Sequence, residues 1–349
     1  MSRPRTPSSS LTSFVVASRY MPVYIAMGLL LVVATIWAPA TLRGPGLSAI
    51  APFGTFLAIT ALGQMLVIMT GGIDLSVPGT FTLAAVVTVG IGQGFDDRTW
   101  TAIGVALVLC ALIGLVNGIL IGGLGLNALI VTLAVGQIVL GFAIHYYTSV
   151  AIQTPVPAGL GAWTSTRFFG VTRTFWLGVA ITLLLIVIFR FTTPGRRFQV
   201  VGANPTASWI AGLRVNLNQV SAYVLAAVLY GVAGILLASL LGTLSITIGA
   251  PYLLGPIAAV VIGGASLTGG LASPLSTWVA AFFLAGLNQM MRVMGLPTAL
   301  QFVVFGLVII GGMLVSGDRI IRGVEHLLRE RKGSRVVEGA VGTSGDGSS

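Results

Sequence analysis

Charge is what this chain has least of. Only 7% of its 349 residues are charged, against about 25% in a soluble domain. With 56% hydrophobic residues and a mean hydropathy of +1.01, that shortage excludes a soluble globular fold and predicts a polytopic membrane protein. Lysine is nearly missing: Lys332 is the single one, and Arg331 precedes it. The Gly-Lys-Ser or Gly-Lys-Thr of a P-loop, which cradles and neutralises phosphates, is therefore nowhere in the chain. One cysteine, Cys110, lies in an apolar run and rules out an internal disulfide. Histidines and acids are too few and too scattered to cluster, so neither a catalytic site nor a metal site is expected. The net charge of +10 is no nucleic-acid signal, because the basic residues scatter over loops without an aromatic-interleaved stripe.

What is abundant is apolar length. Runs near the ~20 residues needed to cross a bilayer fall at 22–40, 48–70, 78–93, 100–122, 127–147, 174–190, 218–242, 253–266, 271–291 and 299–316. The third and eighth are short. The fold class expected is all-α, with about ten transmembrane helices, some of them broken. The run Val23–Trp37 follows a basic N-terminus with no small-residue cleavage site behind it, and reads as a retained first span. The organisation expected is a disordered cytoplasmic tail at 1–20, a transmembrane domain at 21–318 and a largely disordered cytoplasmic tail at 319–349.

Ten crossings put both termini on one side. The basic residues then divide unequally. Arg3, Arg5, Arg19, Arg190, Arg196, Arg197, Arg214, Arg319, Arg322, Arg329, Arg331, Lys332 and Arg335 share the side of the termini, and Arg43, Arg98, Arg167, Arg173 and Arg292 face the other. By the positive-inside rule the first side is cytoplasmic. Trp37, Trp100, Trp163 and Trp176 then fall at the outer face, as an aromatic belt requires. The loop 148–173 is the longest outer segment, and 191–217 the longest internal cytoplasmic one.

Between the second and third runs lies Thr70-Gly71-Gly72-Ile73-Asp74-Leu75-Ser76-Val77-Pro78-Gly79. An acid at the centre of a membrane helix costs roughly 2.5–3.5 kcal/mol on insertion scales. Asp74 therefore belongs where the helix is broken and the backbone is buried in protein or lines a wet cavity. Gly-Gly before it and Pro-Gly after it supply such a break. Asp74 either lines a solute path or caps the third span, with Ser76 helping to satisfy free N–H groups. Gln64, Asn117, Thr132, Gln137 and Asn288 are further polar side chains inside apolar runs. Each is a candidate for a hydrophilic path, although hydrogen bonding between helices is the commoner use.

The break has a second copy. Leu75-Ser76-Val77-Pro78 resembles Ile248-Gly249-Ala250-Pro251, and Ala84–Gly90 resembles Ile257–Gly263, with Pro78 and Pro251 standing 173 residues apart, as do Gly90 and Gly263. Asn117 and Asn288 are likewise 171 apart. Five spans of offset invert the unit, and inverted repeats with broken helices place a solute path near the repeat interface.

Without a P-loop, transport draws either on a separate ATPase subunit or on an ion gradient. The second option has little to work with, since Asp74 and His145 are the ionisable acid and histidine near the spans. The first calls for a cytoplasmic docking element. In 191–217, Asn204 reads as an N-cap and Pro205 as the first helical residue. Trp209, Ile210 and Leu213 then share a face of a helix over 204–213, suited to the groove of a partner. An interfacial helix anchored by Trp209 is the alternative. Arg196, Arg197 and Arg214 are orientation determinants and candidate docking contacts.

At these residues the chain resembles the permease subunits of bacterial ABC importers of the ribose/xylose/galactose type, within the branched-chain amino acid permease superfamily. Gly71-Gly72-Ile73-Asp74-Leu75-Ser76 carries the likeness most specifically. Asn117-Gly118, Ile130-Val131-Thr132-Leu133, Thr193-Pro194-Gly195-Arg196 and Ile257 to Gly270 extend it over roughly 45–320. The resemblance implies two permease chains, as homodimer or heterodimer, two ATPase domains that bind ATP and Mg, and an extracytoplasmic sugar-binding protein. The solute path would lie between the permeases, and the helix at 204–213 would fit into the ATPase. No cofactor is implied in this chain, and no nucleic acid. Pro78, Gly255, Leu271 and the proline-free Leu126-Asn127-Ala128-Leu129 depart from the family pattern. A branched-chain amino acid or nucleoside permease is the nearest alternative, and an ion-coupled carrier using Asp74 the alternative of another class.

Overall fold

The computed structural model describes residues 9–151 and 154–316. The expected tails at 1–8 and 319–349 lie outside the described residues. In chain order the helices are α1 (Ser9–Trp37), α2 (Gly44–Met69), α3 (Val77–Gly92), α4 (Thr99–Gly118), α5 (Ala128–Tyr146) and α6 (Ala158–Ser165). A hairpin of β1 (Arg167–Phe168) and β2 (Val171–Thr172) follows. Then come α7 (Arg173–Phe191), α8 (Thr193–Ala203), α9 (Pro205–Ile210), α10 (Val215–Leu241), α11 (Leu254–Ile262), α12 (Pro274–Val293) and α13 (Thr298–Ser316).

Each of the ten apolar runs has its helix. Six helices are long and apolar enough to cross a membrane, and 77–92, 250–262 and 298–312 are shorter apolar ones. The architecture is all-α, as expected, apart from that two-residue hairpin. α2 is its axis: 94% of its apolar window is buried, with α7, α10, α11 and α12 packed around it. α5 and α7 do the opposite, turning Ile130, Phe142, Leu183 and Leu184 outward. An apolar helix face of that size is stable in lipid, not in water.

Local chemistry sets the boundaries. Asn127, Thr192, Asn204 and Ser273 each accept a backbone N–H in the first turn of the helix that follows. Three expectations are corrected. α1 begins at Ser9, so residues 9–20, expected to be disordered, are helical. The segment 148–173 holds α6 and the hairpin rather than plain loop. The segment 191–217 holds two helices, because Thr192 caps a turn that Pro194 opens. The second of these ends at Ile210, short of 213. Gly212 adopts φ +78°, and Leu213 N–H bonds Ser208 C=O at 2.9 Å while Gly212 N–H bonds Trp209 C=O at 2.9 Å. That is a Schellman stop.

Candidate functional site

From Thr70 to Ser76 the chain leaves the helix and re-enters the bundle. The turn is made by Gly71 at φ +83°, a conformation other residues adopt at a cost. Every group exposed by such a break must be answered by protein. Asp74 Oδ1 accepts the Ser76 N–H at 2.8 Å and the Ser76 hydroxyl at 2.6 Å, a tight turn closed by the side chain. Asn117 of α4 donates from Nδ2 to Ser76 Oγ at 3.0 Å. Thr132 of α5 accepts the Leu75 N–H at 2.9 Å and donates to Ala128 C=O at 2.7 Å.

Gln64 of α2 supports the same break from below. Oriented to satisfy both ends of its amide, it accepts from Asp74 N–H at 3.1 Å and donates to Asp74 C=O at 3.2 Å and to Tyr230 Oη at 3.0 Å. The side chain thus pairs with the Asp74 backbone as a neighbouring strand would. Gln64, Asp74, Ser76, Asn117 and Thr132 are all fully buried. Asp74 Oδ2 is buried too, with no hydrogen-bond partner among the described residues.

Five of the seven path candidates therefore gather in one network. Ser76 does not cap α3 with its side chain, contrary to expectation; its hydroxyl is turned back to Asp74. Gln137 is exposed on α5 and Asn288 half-buried on α12, both away from this cluster. The sequence reading missed two tyrosines of α10. Tyr230 meets Gln64, and a Cβ at Gly72 would strike the Tyr223 hydroxyl. Their spacing of seven on one helical face was the available signal.

The second break, 242–253, packs against the first turns of α3. A Cβ at Gly249 would strike Pro78 C=O, and Tyr252 stacks on Phe81 with ring centroids 4.4 Å apart.

α8 and α9 sit at the far end of α2. Phe198 of α8 meets Phe189 of α7 edge-on at 6.2 Å, which fixes α8 to the bundle. Its last turn reaches the start of the first break and the loop after α11. A Cβ at Gly202 would overlap Met69 C=O and lie 2.8 Å from Gly270 N, and Gly270 N–H bonds Met69 C=O at 2.9 Å. A Cβ at Gly269 would come within 2.5 Å of Gly202 C=O. The end of α2, the end of α8 and the loop after α11 thus meet backbone to backbone. On the free side, Arg196, Arg197 and Arg214 are exposed, as are Trp209 and Ile210, at 73% and 75%. Leu213 is half-buried.

The arginines separate by end. Arg19 bonds Gly264 C=O at 2.7 Å, in the loop that also meets α8. Arg43 precedes α2, and Arg167 bonds Ser48 at 2.9 Å, at the opposite end of a 26-residue helix about 39 Å long.

Apolar helices gathered around two broken ones, with an amphipathic pair docked at one end, define a multi-pass membrane permease subunit. The chain belongs to the family of permease components of branched-chain amino acid transport systems, whose model matches residues 46–313. Among its relatives, the ribose import permease RbsC of Escherichia coli K12 is 32% identical over 265 residues, 75% of this chain and 82% of that protein. The autoinducer 2 import permease LsrC of Klebsiella pneumoniae is 31% identical, covering 93% of this chain and 94% of that protein. The galactose/methyl galactoside import permease MglC of Escherichia coli K12 is 29% identical, over 86% and 94%. No solved structure matches the chain.

Proposed function

We propose that this chain is the membrane-spanning subunit of an ATP-driven importer, passing a monosaccharide or sugar-like small polar solute inward. It works without catalysis of its own, beside a second permease chain, an ATPase subunit that binds ATP and Mg, and an extracytoplasmic sugar-binding protein. Its ten helices cross the bacterial inner membrane, with both termini and the α8–α9 end in the cytoplasm. The observation that carries this is the backbone junction of α8 with the end of α2, where the first break begins, and with the loop after α11. A partner that moves α8–α9 moves the first break and the α11–α12 loop directly. The arginine-rich end supports the orientation, and the ribose, galactose and autoinducer 2 permeases among the relatives support the solute class.

Mild-detergent purification should bring down a P-loop protein and a sugar-binding protein with this chain. Transport by the purified chain alone, down an imposed proton or sodium gradient, would sink the proposal in favour of an ion-coupled carrier. The docking face makes a sharper prediction. Trp209 and Ile210 are exposed, so changing both to serine should alter folding by no more than about 0.5 kcal/mol. Seated in a partner's groove, each would stabilise the complex by about 1.5–3 kcal/mol. ATPase retention should therefore fall at least tenfold with permease yield unchanged. A helix that merely lay on the membrane would leave retention as it was.

A further inference from the structure

The two halves of the repeat finish their breaks differently. In the first, Gln64, Asp74, Ser76 and Asn117 close a polar network, with Thr132 beside it. The residues at the matching offsets in the second half are Leu237, Thr247, Gly249 and Asn288. Leu237 offers no hydrogen bond. Thr247 is exposed and bonded to Ser245 at 3.0 Å. Gly249 has no side chain because Pro78 C=O occupies that space. Asn288 therefore keeps the amide of Asn117 but not its partners, and it faces a cavity instead.

That cavity holds about 160 Å³, between the first half of α2, the turn before α11, and α12 and α13. Its walls include Phe53, Tyr252, Asn288, Arg292 and Phe305. By liquid volume this is room for about five waters, the scale of a single sugar ring. The Arg292 guanidinium is held in place by Gln289 Oε1 at 3.2 and 2.9 Å, with further N–H donors to spare. Among the described residues no carboxylate lines the space, so the ammonium of an amino acid would enter it unpaired.

We propose that this cavity receives one monosaccharide-sized neutral polyol. The Asn288 amide hydrogen-bonds neighbouring hydroxyls, Arg292 closes the rim, and the aromatic walls take the C–H face. An amide presents two donors and an acceptor in one plane, which matches adjacent hydroxyls, and aromatic rings supply flat apolar contact area. The site lies toward the Arg43 end of α2, the outer side under the function proposed above, on which this inference rests. It is where solute released by a binding protein enters first.

Asn288→Cys tests it in vesicles bearing the whole importer. The native Cys110 is fully buried, so the unsubstituted chain is the blank. A small membrane-impermeant methanethiosulfonate should label the variant at least tenfold faster than the blank. D-ribose or D-galactose, with the binding protein present, should slow labelling at least threefold, and L-leucine should not. Asn288→Ala should raise the KM for uptake at least tenfold while kcat changes less than threefold; a merely structural residue would lower the amount of assembled importer instead. An unreactive cysteine, labelling indifferent to both sugars, protection by leucine, or a KM unchanged in Asn288→Ala overturns the proposal. Failure of the wider reading shows separately, as uptake that survives inactivation of the partner ATPase.

Discussion

Gly202→Val should uncouple this permease, cutting ATP-dependent uptake at least a hundredfold while the chain still inserts and still binds its ATPase. A Cβ at Gly202 has nowhere to go: it falls on Met69 C=O and beside Gly270 N. These are backbone atoms, so no rotamer change relieves the clash, and overpacking of this kind costs about 1–3 kcal/mol. The cheapest relief is to lift the last turn of α8 away from the ends of α2 and of the α11–α12 loop. That breaks the junction through which motion of α9 reaches the first break and the α11–α12 loop, yet leaves Trp209 and Ile210 free to dock. Val200→Ala is the control, since Val200 is 54% exposed on the same helix and should change stability by less than about 0.5 kcal/mol. The measurement is uptake beside ATPase rate in proteoliposomes of the whole importer. Full uptake by Gly202→Val would mean that α8 does not transmit through this contact.

The sequence made some of this visible and hid the rest for identifiable reasons. Apolar run length located every long helix, because the cost of unpaired backbone in lipid leaves the chain few alternatives. Asn204 was readable as a cap because capping depends on the residue and its next three neighbours. α8 was not readable. Thr193-Pro194-Gly195 looks like a turn, and it is helical because Thr192 caps it and Phe198 packs on Phe189. Gln64, Asn117 and Thr132 stood out singly as polar residues in apolar runs. Nothing local says that three different helices bring them to one seven-residue break. Tyr223 and Tyr230 resembled filler for a similar reason, since their partners are some 150 residues away in the chain or more. The glycine at 202 and those at 269 and 270 lie 67 or more residues apart in two separate segments, and nothing in either segment says that they meet.

Asp74→Ala should cost far more than Asp74→Asn, and the contrast tells a structural carboxylate from an ion-coupling one. Asp74 Oδ1 takes two buried donors, the Ser76 N–H and hydroxyl. Alanine orphans both, at about 1–3 kcal/mol for each buried donor left unpaired. Ser76 then loses its fixed orientation, and with it the acceptor that Asn117 uses at 3.0 Å. Asparagine keeps a carbonyl oxygen where Oδ1 stands, and its amino group takes the place of Oδ2, which has no hydrogen-bond partner among the described residues to lose. Folded, monodisperse protein extracted in mild detergent should therefore fall to a few per cent of native for Asp74→Ala and stay above about half for Asp74→Asn, on the same cost per orphaned donor. Uptake by Asp74→Asn should remain ATP-dependent. In an ion-coupled carrier the reverse holds: asparagine removes the titrating group, so it would spare the fold and abolish gradient-driven transport. A well-folded Asp74→Asn permease that has lost uptake would therefore move Asp74 from the scaffold to the mechanism. One that transports normally fixes it as the residue that shapes the break.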